Sequence, residues 1–90
     1  MPKVNFTSAL KRFYPDLGSQ TTSGNTVAEV LDELESRFPG LKDYLLDERG
    51  KLRQHVNIYI GDQLVQDEET LADSVAESDE ILIFQALSGG

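Results

Sequence analysis

A single stretch of this 90-residue chain carries a long helical period, and it lies between stretches that alternate. Val27, Val30, Leu31, Leu34 and Phe38 fall at i, i+3, i+4, i+7 and i+11, one face of a 3.6-residue repeat. Glu29, Asp32, Glu33 and Glu35 take the other face. Thr26 followed by Glu29 has capping-box spacing, and Pro39-Gly40 ends the segment. A lone amphipathic helix must lay its apolar stripe on something else. In a chain this short, that something is a sheet.

The flanking sequence supplies the strands. Val4, Phe6, Ser8 and Leu10 alternate with Asn5, Thr7 and Ala9, which predicts a first strand. Pro15-Asp16-Leu17-Gly18 is turn chemistry, and Ser19 to Ser23 is read as a short second strand. Leu41, Tyr44 and Leu45 suggest one or two further helical turns before Gly50. Val56, Ile58 and Ile60 form a strand, Gly61-Asp62 a turn, and Gln63-Leu64-Val65 a short return strand. A single helical turn is expected around Leu71 to Val75. Ile81 to Ala86 is an apolar run expected at the centre of the sheet. The order is β-β-α-β-β-β, an α+β architecture with one helix across a mixed sheet of four to five strands.

A hydrophobic content of 39% suits one modest core and no second domain. No apolar run approaches the ~18 residues that span a bilayer, and Met1 to Asn5 lacks the apolar stretch of a secretion signal. A soluble, cytoplasmic protein is expected. Cysteine is absent, which excludes disulfides, thiolate metal sites and a cysteine nucleophile.

The net charge of −8 is unevenly spread. Residues 1–53 hold all eight Lys and Arg, whereas residues 54–90 carry eight acids and no Lys or Arg. Nucleic acid and anionic membrane are disfavoured as partners, because both need the opposite sign. The acidic half either docks on a basic protein surface or is a solvated face that keeps the chain soluble.

A hairpin, a crossing helix and further strands ending in a terminal Gly89-Gly90 resemble the β-grasp fold of ubiquitin-like proteins. Within that superfamily the chain resembles the bacterial sulfur carriers of the MoaD/ThiS type. Asp79 to Gly90 is similar to the end of the thiamine-type carrier. Gly50 to Ile60 and the Thr26-to-Leu46 region are similar to the cysteine-pathway carrier. The resemblance implies a β-grasp domain over residues 1–86 and a flexible reactive tail, Leu87-Ser88-Gly89-Gly90.

It also implies that the Gly90 carboxylate is the reactive centre. A carboxylate is a poor electrophile, and transfer to the α-phosphate of ATP makes an acyl-adenylate with a good leaving group. Sulfide or a persulfide then yields a thiocarboxylate. The chain would thus be a protein co-substrate rather than an enzyme. Its partners would be an E1-like adenylating enzyme that uses ATP and Mg, a sulfur-accepting synthase and a sulfur donor. Two glycines span ~7 Å and, lacking Cβ atoms, pass a narrow channel. The alternative for Gly89-Gly90 is a frayed end, which chance produces in about one chain in 200.

Gly89, Ser88, Leu87, Phe84, Leu82 and Leu64 are the candidate partner-binding residues. In the last strand Ile81 and Ile83 point one way, and Leu82, Phe84 and Ala86 the other. Parity alone leaves open which set is core. By similarity with ubiquitin-like folds, Leu82 and Phe84 face outward, and an exposed aromatic beside Leu64 would form an apolar patch.

No phosphate-cradling G-x-x-x-x-G-K-[ST] or dinucleotide G-x-G-x-x-G is present, so no bound cofactor is expected and ATP would sit on the partner. His55, the one histidine, is read as a half-exposed strand residue rather than a metal ligand. Asp67-Glu68-Glu69 lacks the order of a calcium loop. Three functions stand: a sulfur carrier, a protein modifier forming isopeptide bonds with lysine, and a binding module with an inert tail.

Overall fold

The computed structural model describes residues 1–85. Five strands form one sheet: β1 (Lys3–Phe6), β2 (Gln20–Thr21), β3 (Val56–Ile60), β4 (Gln63–Leu64) and β5 (Glu80–Gln85). Their order is β2-β1-β5-β3-β4, so β5 is central. β1 and β5 run parallel and the other neighbouring pairs antiparallel. This is the mixed β-grasp sheet expected from the resemblance, with the last strand in the middle.

The crossing helix α2 spans Val27–Arg37. Its Val27, Val30, Leu31 and Leu34 pack with Val4, Phe6, Ile58, Ile81 and Ile83 in one core. The hydroxyl half of the capping box forms, and the carboxylate reaches one residue beyond the N-cap. Thr26 Oγ1 accepts the Glu29 amide at 3.2 Å, and the Glu29 carboxylate reaches back to the Asn25 amide at 2.8 Å.

Two short helices accompany α2. The first, α1 (Ser8–Lys11), replaces the far half of the expected first strand. Phe6 and Leu10 are both buried, and a spacing of four satisfies an alternating strand and a helical turn alike. The chain therefore turns at Thr7 without exposing either side chain. The third helix, α3, is Leu41–Leu45, with Leu41 and Leu45 inside. Gly40, at φ +92°, makes the left-handed turn between α2 and α3. The Glu35 carboxylate accepts the Gly40 and Lys42 amides at 2.8 and 2.9 Å and ties the two helices together. Those two amide bonds hold its pKa below the usual glutamate value.

The helical turn expected over Leu71 to Val75 does not form. The segment instead lies against the start of α2 and supplies what that helix end needs. Leu71 O accepts the Ala28 amide and Asp73 O the Val27 amide, at 2.9 and 3.1 Å. These carbonyls satisfy amides in the first turn of α2 that have no partner within the helix. The preceding acidic loop wraps around Asp67, whose carboxylate accepts the Thr70 hydroxyl and the Thr70, Ala72 and Glu69 amides. The bonds to Thr70, hydroxyl first, lower its pKa from 3.8 to about 2.

Candidate functional site

The side of the sheet away from α2 is open, and its composition follows from the registers. Ile81 and Ile83 of β5 are buried against α2, while Leu82 and Phe84 stand on the open side, 36% and 39% exposed. The helix settles the parity that the apolar run left open. Leu82 faces Tyr59 across β5 and β3, and Tyr59 faces Leu64 across β3 and β4. Leu82, Tyr59 and Leu64 thus form one row over three strands.

Phe84 stands in the next row, opposite Asn57, so it is not beside Leu64 as expected. β3 separates the two, and Tyr59 fills the gap. Tyr59 was missed in the sequence because it reads there as the polar phase of Val56-Asn57-Ile58-Tyr59-Ile60. On an open sheet face that phase is the exposed one, and a tyrosine in it adds a broad apolar ring with a hydroxyl for a partner. On the other side of β5, Asn5 continues the Leu82 row and its Oδ1 accepts the Ser19 hydroxyl at 2.5 Å.

Phe84 is followed by Gln85, the last described residue. Ala86, Leu87, Ser88, Gly89 and Gly90, including the candidate reactive carboxylate, lie outside the described residues. β5 runs toward them. Its end is flanked by Val56, the register partner of Gln85, and by Thr7. Leu82, Phe84 and Gln85 therefore belong to the one strand that precedes residues 86–90.

The remaining candidates have local, structural occupations. His55 lies in the turn before β3 rather than within the strand, and is half-buried. Of the eight acids after residue 53, Asp67, Asp73 and Asp79 accept backbone amides within their own loops. Asp62, Glu68, Glu69, Glu77 and Glu80 remain exposed. No group of three or more His, Asp or Glu among the described residues could hold a metal ion. No helix among them is long and apolar enough to cross a membrane.

Comparison with known proteins agrees with this geometry. The model of the ThiS family matches residues 4–90. The sulfur carrier protein CysO of Mycobacterium bovis is 36% identical over 81 residues, covering 84% of this chain and 87% of that protein. A chain in the crystal structure of the Amycolatopsis orientalis BexX/CysO complex superposes with a TM-score of 0.85 at 31% identity, covering 100% of both chains. The small archaeal modifier protein 1 of Methanosarcina acetivorans gives 0.78 at 27% identity, over 99% of this chain and 95% of that one. A β-grasp sheet with its last strand central and a family match running from the first strand to the final glycine place this chain in the ThiS family.

Proposed function

We propose that the chain is a sulfur carrier whose Gly90 carboxylate is activated and converted to a thiocarboxylate. The observation that carries this reading is the family match through residue 90, together with 36% identity to a protein named as a sulfur carrier. In the proposed cycle a carboxylate oxygen of Gly90 attacks the α-phosphate of ATP, and pyrophosphate leaves. A sulfur nucleophile then attacks the acyl carbon and AMP departs. The E1-like adenylating enzyme supplies the ATP and Mg site, and an accepting synthase takes the sulfur. The likeness to CysO favours a cysteine-forming acceptor. The chain's own part is to dock, present its end and carry the sulfur between partners.

Docking on the row of Leu82, Tyr59 and Leu64 with Phe84 supports that division of labour. These side chains lie on the uncovered face, and two of them, Leu82 and Phe84, sit on the strand that precedes residues 86–90. A residue 87–90 tail without bulky groups at its last two positions suits entry into a partner's channel. The likeness to a small archaeal modifier supports a second reading, in which the activated carboxyl forms an isopeptide bond.

Intact-mass measurement after incubation with an E1-like adenylating enzyme, ATP, Mg and sulfide tests the proposal. Exchange of oxygen for sulfur adds about 16 Da. Conjugates of higher mass in cell extract without that increment would favour the modifier. An unchanged mass in both would leave the binding module.

A further inference from the structure

β1 stops at Phe6, two rungs before its parallel neighbour β5 ends. In a parallel ladder one residue donates to the carbonyl before its partner position and accepts the amide two residues further on. Thr7 does the first with its backbone, donating its amide to Ile83 O at 3.3 Å. It does not do the second with its backbone. Thr7 is the N-cap of α1, so its carbonyl belongs to the first turn of that helix. The amide of Gln85 bonds instead to the Thr7 hydroxyl, at 3.4 Å.

This is an unusual use of an N-cap threonine. Thr7 has the extended backbone of a cap, φ −84° and ψ 166°, yet its side chain makes no capping bond to α1. A hydroxyl that would ordinarily serve the helix is given to the last described residue of β5. Gln85 carries a second sign that this strand end is not arranged for folding alone. Its Oε1 is shielded from solvent and has no donor among the described residues. An aliphatic side chain would carry no such cost there.

We infer that Thr7 and Gln85 are positioning residues at the root of the tail, where the Thr7 hydroxyl adds one side-chain rung to the sheet. β3 already pairs with β5 as far as Gln85 on one side, and the rung fixes the β1 side of the strand at that same residue. The inference rests on the sulfur-carrier reading for its purpose, but not for its geometry. Thr7 lies level with Phe84, so a loss in kcat at steady KM is what separates presentation of the end from docking.

Thr7→Val removes the hydroxyl and keeps the shape; Thr7→Ser keeps the hydroxyl. In the free protein, amide hydrogen exchange at Gln85 is expected to be slowed in the parent and in Thr7→Ser, and fast in Thr7→Val. With an E1-like adenylating enzyme, ATP and sulfide, Thr7→Val is expected to lose about three- to tenfold in kcat at nearly unchanged KM, the range of one net hydrogen bond. Thr7→Ser should restore the parental rate. Gln85 protection that survives Thr7→Val overturns the rung, and a parental kcat in that variant overturns its role in presentation. A parent that is never charged would sink the carrier reading instead, and the exchange experiment would still judge the rung.

Discussion

Leu82 and Tyr59 face one another across the central ladder of the sheet, on the side that no helix covers. One position along the strand, Ile83 is fully buried against α2. Adjacent residues of one strand therefore do opposite work, and they can be separated by substitution.

Ile83→Ala is expected to cost about 2–4 kcal/mol of stability, because it opens a cavity under α2. Leu82→Ala, at a half-exposed site, is expected to cost under about 1 kcal/mol. Leu82→Asp should weaken binding to the adenylating partner by about tenfold or more while the fold persists, since a charge would be desolvated in the interface. Urea denaturation and titration calorimetry read the two effects separately. Equal partner affinity in Leu82→Asp would remove the open face from the docking site.

Tyr59 offers an independent check of the same face. Tyr59→Ala is expected to reduce partner affinity as much as Leu82→Ala does, by about 1–2 kcal/mol, typical of an aromatic near the middle of an interface. Surface plasmon resonance against the immobilised partner measures it. An effect confined to Leu64 and Phe84 would shift the site off the row.

Gly90→Val should leave the unfolding midpoint unchanged and abolish the 16 Da gain described above, as should one bulky residue appended after Gly90. The measurement is intact mass after charging. A valine variant that is loaded as readily as the parent would remove the need for a slim terminus.

Acid should loosen the loop around Asp67 before it unfolds the core. The folded pKa of Asp67 is lowered from 3.8 to about 2, so its contribution to stability is fully present above pH ~4 and is lost as pH falls through about 2. Glu35 and Asp47 are lowered too, by amide bonds from Gly40 and Lys42 and from Lys51 and Arg49 respectively, and add to the loss in the same direction. Asp67→Asn is expected to lower stability at pH 7 and to flatten the acid limb of a plot of stability against pH. An unchanged limb would show that the Thr70 bonds do not stabilise the charged form.

Replacing Thr26 by alanine is expected to cost about 1 kcal/mol, because its hydroxyl satisfies the Glu29 amide. This cap was legible in the sequence, as was the α2 stripe that follows it. Local spacing decides both, since an N-cap hydroxyl reaches the amide three residues on wherever a helix starts. The strand at Val56–Ile60 was legible from its alternation, and the last strand from its apolar run over Ile81 to Ala86.

The sequence by itself determined the capped helix, the alternating strands and the side-chain-free end, because each depends on neighbours a few residues away. Only the tertiary structure decided which face of Ile81-Leu82-Ile83-Phe84 is core, because both phases are apolar and α2 must land on one of them. It also decided that Phe6 and Leu10 are joined by a helical turn, and that Leu71 to Val75 forms no helical turn and serves the amides of α2. Tyr59 became part of the open face, and the Thr7 hydroxyl met Gln85, for the same physical reason. Each contact links residues far apart in the chain, and only strand order and register bring them together.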